Sequence, residues 1–199
     1  MKLAMFGGSF NPIHIGHLAL ADAVCTELGY DKVAFVPTFI SPFKLNSVLP
    51  EPKHRLNMIE LAIRNATEKF FCEDHEIVEK GVSYTIDTVS YIYEKYKDEL
   101  EGKIGLLIGS DLVKSFLMWK DADKILETTD VIIGNRPFLT DLEIKIIPDF
   151  PHKKLNNIAL QISSSLIRQS IEEKKSWRYL VPEAVYEYII TNGLYEKNR

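Results

Sequence analysis

Apolar residues follow two rhythms along this chain. Short unbroken runs alternate with longer stretches in which apolar positions recur every three or four residues. The runs at 2–6 (KLAMF), 32–37 (KVAFVP), 103–109 (KIGLLIG) and 131–133 (VII) read as strands. They are too apolar for a sheet face open to water, which is the pattern of buried parallel strands. Between them, 15–28 reads as a helix with Leu18, Leu20, Ala21, Val24 and Leu28 largely on one side, closed by Gly29. Helices are expected at 54–66 on Leu56, Ile59 and Ile63, and at 84–96 on Val89, Ile92 and Tyr96, the latter started by Ser83 or Thr85. The stretch 111–126 reads as helical in two pieces. Apolar residues flanked by acids make 70–79 a bent or two-part strand, and 143–147 a short strand. Helices at 164–173 and 182–191 close the pattern, with Pro182 suited to a first-turn position.

Alternating strand and helix with such apolar strands predicts an α/β fold with a mainly parallel sheet covered on both faces. The 199 residues suit a single domain over 1–199, with 160–199 as a C-terminal helical portion. Ligands in such sheets bind outside the carboxyl ends of the strands, so motifs just after strands carry the most weight. Residues 38–53 read as loop with Pro42, Pro50 and Pro52 inside it, and 37–52 is the one long irregular stretch. Long loops in compact domains commonly act as lids or binding loops.

Hydrophobic content of 46% and charged content of 26% are ordinary for a globular protein. The net charge of −4 argues against a general nucleic-acid binder, so any positive field for an anionic ligand has to be local. Cys25 and Cys72 lie in apolar segments without CxxC spacing and read as reduced core thiols of a cytosolic protein. The opening MKLAMFGGSF is broken by glycines too early for a signal peptide, and no apolar run reaches membrane-spanning length.

The densest chemistry lies at the end of the first run. The strand stops in Gly7-Gly8, Ser9 and Phe10 follow, and the next helix opens on His14 and His17. Glycines let an anion approach the backbone, and a helix start offers N–H groups and a positive dipole end. Two imidazoles one turn apart then face the same anion. By spacing alone, one capping and one surface histidine is an equally good reading. A metal pair is disfavoured, because no third ligand sits at a zinc-motif spacing. Lys44, in the long loop, is either a solvated lysine or a phosphate contact. Ser83 to Thr88 opens a helix whose N–H donors suit a small anion such as a carboxylate. Gly109 and Asp111 follow the most buried run, where an acid can accept from ribose hydroxyls; Trp119, eight residues on, is core or a stacking platform. Ser163, Ser164 and Ser165 precede Arg168 at another helix start, a cap by itself and a second anion cradle beside the first.

Taken together, GGSFNPIHIGH at 7–17, FVPTFISPFK at 35–44, HRLNMIELA at 54–62, SYTIDT at 83–88, IGSD at 108–111 with Trp119, ISSSLIR at 162–168 and YLVPEAVYEYIITNGLY at 179–195 resemble the bacterial nicotinate-nucleotide adenylyltransferases of the HxGH nucleotidyltransferase superfamily. Threonine is common in that family where Ser9 and Ser165 stand, and aspartate where Asn11 stands. The resemblance implies a Rossmann-like three-layer sandwich that transfers AMP from ATP to nicotinate mononucleotide, giving deamido-NAD and pyrophosphate in NAD biosynthesis. His14, His17 and Arg168 would be catalytic. ATP would rest on Gly7, Gly8, Ser9, Phe10, Gly109, Asp111, Ser164 and Ser165 as well. Lys44, Thr85 and Trp119 would serve the mononucleotide. Mg²⁺ would arrive with ATP, without a protein-held metal. Neither nucleic acid nor membrane is implied as a partner, and a homo-oligomer stays open. The alternatives are a nicotinamide-mononucleotide or pantetheine-phosphate adenylyltransferase, or a non-catalytic nucleotide-binding regulator.

Overall fold

The apolar runs pair into one sheet in the computed structural model of the chain, which describes residues 1–42, 50–135 and 150–196. Strands β1 (Leu3–Gly8), β2 (Lys32–Pro37), β3 (Phe70–Cys72), β4 (Ile104–Gly109), β5 (Thr129–Gly134) and β6 (Lys153–Lys154) lie in the order β3-β2-β1-β4-β5-β6. Every pairing is parallel, with Phe6 opposite Phe35 on one side and Leu107 on the other. The chain builds outward from β1 through β2 to β3. It then returns to lay β4 on the opposite edge of β1. That reversal is a topological switch point, the place where doubly wound sheets open a crevice for ligands.

Side chains alternate across the strands and feed two cores. Ala4, Phe6, Phe35, Leu107 and Ile132 face one way, under α1 (Ile15–Leu28), α2 (Pro52–Ile63), α7 (Ser164–Glu172) and α8 (Glu183–Thr191). Leu3, Met5, Ala34, Val36, Leu106 and Ile108 face the other, under α4 (Thr85–Tyr96), α5 (Val113–Phe116) and α6 (Ala122–Thr128). The result is the three-layer α/β sandwich expected. α1 ends at Gly29, whose φ of 68° is the left-handed cap that glycine adopts without strain. The C-terminal helices α7 and α8 share a core with α1 and α2.

One stretch differs from its expected form. Residues 70–79 are not a two-part strand: β3 pairs with β2 only from Phe70 to Cys72, and α3 (His75–Glu79) follows Asp74. The acids read as flanks of a strand turn Glu76 inward, where Thr88 holds it. The two-residue strand β6 is charged and has no apolar signal. The helical stretch after β4 divides into a single 3₁₀ turn (Ser110–Leu112), α5 and α6. Lys44 and the strand expected at 143–147 lie outside the described residues. Burial pushes the Cys25 thiol up and that of Cys72 to about 12, so neither is a thiolate at neutral pH. Among the described residues no helix is long and apolar enough to cross a membrane.

Candidate active site

β1 and β4 end side by side in Gly7-Gly8 and Gly109. A cleft of about 640 Å³ opens above them and collects residues from both halves of the sheet. A Cβ on Gly7 would meet nothing within 4 Å, so the end of β1 faces open space. A Cβ on Gly8 would press to 3.2 Å from the Phe10 ring. Phe10 adopts left-handed backbone, φ 43°, which costs a non-glycine residue about 1–3 kcal/mol. That conformation turns its ring into the core, edge-on to Phe6 at 5.6 Å and to His17 at 5.1 Å. Phe10 lines the cleft, and its buried ring is the floor beneath His17.

α1 begins directly above that floor. The backbone N–H of His14 donates to Nδ1 of His17 at 3.2 Å. With Nδ1 an acceptor, the neutral His17 ring carries its proton on Nε2. The rings of His14 and His17 stack with centroids 3.6 Å apart and planes at 23°. Gly16 makes room for this stack, since a Cβ there would lie 3.1 Å from Nδ1 of His14. Both rings line the cleft at only 3% and 7% exposure. They therefore meet a ligand in a water-poor setting, beside the positive end of the α1 dipole.

The facing wall is the start of α7. Ser163 caps that helix, its hydroxyl accepting from the N–H of Leu166 at 3.1 Å. Ser164 donates through Oγ to the Pro12 carbonyl at 2.8 Å. Arg168 donates from Nη1 to the Asn11 carbonyl at 2.8 Å and from Nη2 to Ser165 Oγ at 3.1 Å. These bonds pin α7 to the Asn11-Pro12 turn and aim the guanidinium across the cleft from the histidines. Its fork has N–H groups to spare for an anion.

The far end belongs to α4 and the segment after β4. Tyr84 occupies the capping position of α4 and no side chain caps that helix. Ser83, expected as a cap, instead accepts the N–H of Phe39 at 3.2 Å and donates its own N–H to the Ile40 carbonyl at 2.9 Å. The α4 start thus faces the cleft with backbone donors. Trp119 packs on Phe116 at 5.1 Å and lines the same end. Lys120 lies over the Tyr84 ring at 4.6 Å and pairs with Asp87 at 2.9 Å. Asp111 sits at the exposed rim.

The cleft gathers Gly7, Gly8, Ser9, Phe10, His14, His17, Thr85, Gly109, Asp111, Trp119, Ser164, Ser165 and Arg168, all singled out from sequence. It also holds Asn11, noted from sequence only as a departure from the family's usual aspartate, and Glu76 and Lys120, which the sequence did not single out. Just behind it lies Arg55, at 1% exposure the largest fully buried side chain. Its Nη1 donates to the carbonyls of Ser9 at 3.0 Å and Thr38 at 2.7 Å, tying the loops after β1 and β2 together. Burial lowers its pKa below the ordinary arginine value. Arg55 lies within the HRLNMIELA stretch that carries the resemblance but had no assigned role, and Glu76 lay among acids read as flanking a strand. Among the described residues no three His, Cys, Asp or Glu side chains converge as a metal site requires.

This arrangement defines a doubly wound parallel α/β protein whose switch-point cleft gathers two stacked imidazoles, a guanidinium, an indole and the starts of three helices. The chain belongs to the cytidylyltransferase-like family, whose sequence model matches residues 5–170. It is 44% identical over 203 aligned residues to the probable nicotinate-nucleotide adenylyltransferase of Treponema pallidum strain Nichols, covering 98% of this chain and 99% of that one. It is 34% identical to the nicotinate-nucleotide adenylyltransferase of Bacillus subtilis, covering 98% of each. In fold it matches the Plasmodium falciparum nicotinic acid mononucleotide adenylyltransferase complexed with NaAD, with a TM-score of 0.76, 22% identity, and coverage of 98% of this chain and 97% of that one. The resemblance carried by the motif residues therefore extends over nearly the whole chain.

Proposed function

We propose that this protein transfers the adenylyl group of ATP to nicotinate mononucleotide, forming deamido-NAD and releasing pyrophosphate, as a step of NAD synthesis. The carrying observation is the division of one cleft: stacked histidines and an arginine at one end, an uncapped helix start beside an indole at the other. The relatives' names and the fold agree with it. Magnesium enters as part of the MgATP substrate, bound by phosphate oxygens, since it needs few protein ligands.

In this reading a phosphate oxygen of the mononucleotide attacks the α-phosphorus of ATP in line. The new P–O bond forms as the bond from the α-phosphorus to the bridging oxygen breaks, and pyrophosphate leaves with that electron pair. No protein nucleophile intervenes, so catalysis is positioning and charge stabilisation. His17 donates from Nε2 to the α-phosphoryl oxygens as charge builds there, and His14, stacked on it, contacts the neighbouring phosphate. Ser164, Ser165 and Arg168 grip the β- and γ-oxygens and the departing pyrophosphate. Gly7, Gly8 and Ser9 give close backbone approach, while Gly109 and Asp111 meet the adenosine. Thr85 and Trp119 receive the nicotinate ring. We assign the protein to the cytoplasm, acting as a single domain over 1–199 in which 160–199 supplies one phosphate wall, with no nucleic-acid partner at a net charge of −4.

Pyrophosphate release tests the proposal. Purified protein with MgATP is given nicotinate mononucleotide, nicotinamide mononucleotide or 4′-phosphopantetheine in turn. Fast release is expected with the first. Release only with phosphopantetheine, or none with any acceptor, overturns it.

A further inference from the structure

Glu76 has no part in the chemistry above, yet it lines the cleft next to Ser83, Tyr84 and Thr85. It is 9% exposed. Its Oε1 accepts the Thr88 hydroxyl at 2.6 Å, from within α4. Its Oε2 is buried with no hydrogen-bond partner. The groups facing it are His75, beside it on α3, Arg55 on α2, and the hydroxyls of Ser83 and Thr88 at the entry and first turn of α4, all of which favour its ionised form. Arg55 gives its bonds to the carbonyls of Ser9 and Thr38 rather than to Glu76. Burial outweighs these neighbours and makes Glu76 hold its proton more tightly than an exposed glutamate.

We infer that Glu76 is a specificity-determining residue: neutral, it leaves the α4 start free to receive a ring carboxylate, and ionised, it repels that carboxylate. The inference rests on reading this end of the cleft as the nicotinate site. Two carboxylates sharing one poorly solvated site disfavour double ionisation. An acid ligand therefore binds with uptake of a proton by Glu76, or binds poorly. An amide ligand carries no charge and has no such linkage.

The sign follows from this. Glu76 titrates above the ordinary glutamate value. As pH rises through its pKa, the acid substrate loses affinity and the amide substrate does not. The ratio of kcat/KM for nicotinate mononucleotide to that for nicotinamide mononucleotide therefore falls with rising pH. The substrate phosphate, whose second pKa is about 6, is common to both substrates and cancels in the ratio.

The test measures that ratio between about pH 5 and about pH 9, above the ordinary glutamate value of about 4.3, in the parent and in Glu76→Gln. Glutamine keeps the shape and the acceptor for Thr88 but cannot ionise. The parent ratio is expected to fall by at least about threefold, half a pKa unit, and the variant ratio to stay flat. Calorimetry in two buffers of different ionisation heat should show proton uptake on binding the acid and none on binding the amide, without need of turnover. A flat ratio in the parent, or the same slope in Glu76→Gln, overturns the inference. A purely structural Glu76 would change kcat/KM for both substrates together and leave the slope in place. Failure of both mononucleotides to react would remove the functional proposal and this inference with it, whereas turnover with a flat ratio removes the inference alone.

Discussion

His17 enters the cleft with its tautomer already set. The His14 backbone N–H occupies Nδ1, the Phe10 ring supports one edge, and His14 covers a face. A donor fixed in this way needs no reorganisation when charge develops on the α-phosphoryl, which is where such a donor has most effect. His17→Ala should fold and lose about 10²–10³ in kcat. A kcat within a few-fold of the parent, with unchanged circular dichroism, would take His17 out of the chemistry. Arg168 is held differently, by the Asn11 carbonyl and the Ser165 hydroxyl through two separate nitrogens. Lysine keeps the charge but cannot hold both and still reach an anion. Arg168→Lys should therefore lower kcat/KM for ATP severalfold or more, and steady-state kinetics giving an unchanged value would place Arg168 outside the site. Residues like these were legible because glycine, histidine and arginine stood at a strand end or helix start, where backbone geometry leaves anion donors open. Glu76 and Arg55 were not legible. Arg55 is buried beneath the loops after β1 and β2 that it bonds, and Glu76 against α4, where Thr88 holds it; no local pattern encodes either burial.

Elements show the same division between local and non-local information. α1 and β2 have the bounds expected, because Gly29 ends one and continuous apolar runs mark the other. α3 was misread, since five residues are too short to display a helical period and its inward residue is an acid. β6 is set by its pairing along β5, a non-local contact, and Lys153 pairs there with Asp130 at 2.8 Å. Close packing between elements also leaves marks that the pattern conceals. Gly105 sits in central β4 opposite Ala4, and a Cβ there would lie 2.7 Å from the Tyr30 ring and 2.9 Å from Cδ1 of Ile132. Both neighbours are buried or central to the core. Gly105→Ala should destabilise the fold by about 1–3 kcal/mol through overpacking. Chemical denaturation is the check, and a midpoint equal to the parent's would show that Tyr30 gives way freely.

At the scale of the whole molecule, the switch point divides the work between the two halves of the sheet. In the proposed reaction the β1 side, with α1 and α7, brings imidazole, guanidinium and helix-start donors to the phosphates. In the same proposal the β4 side, with α4 and Trp119, receives the acceptor's ring. A net charge of −4 makes this concentration of positive character a local property of the cleft. The expected substrate choice follows from the second half. Nicotinate differs from nicotinamide by an acceptor-only carboxylate in place of an amide bearing its own N–H₂. An uncapped α4 start offers donors, which suit the acid and leave the amide mismatched, and such polar mismatches discriminate strongly. Trp119 faces either ring equally, and its indole favours the pyridinium of both through stacking and cation–π attraction. Near neutral pH, kcat/KM for nicotinate mononucleotide should exceed that for nicotinamide mononucleotide by at least about tenfold, or ~1.4 kcal/mol. Trp119→Ala should lower both values while keeping most of their ratio. Parity in the parent would overturn the carboxylate assignment at the α4 start. A ratio that collapses only in Trp119→Ala would show that the indole, and not the helix start, chooses between acid and amide.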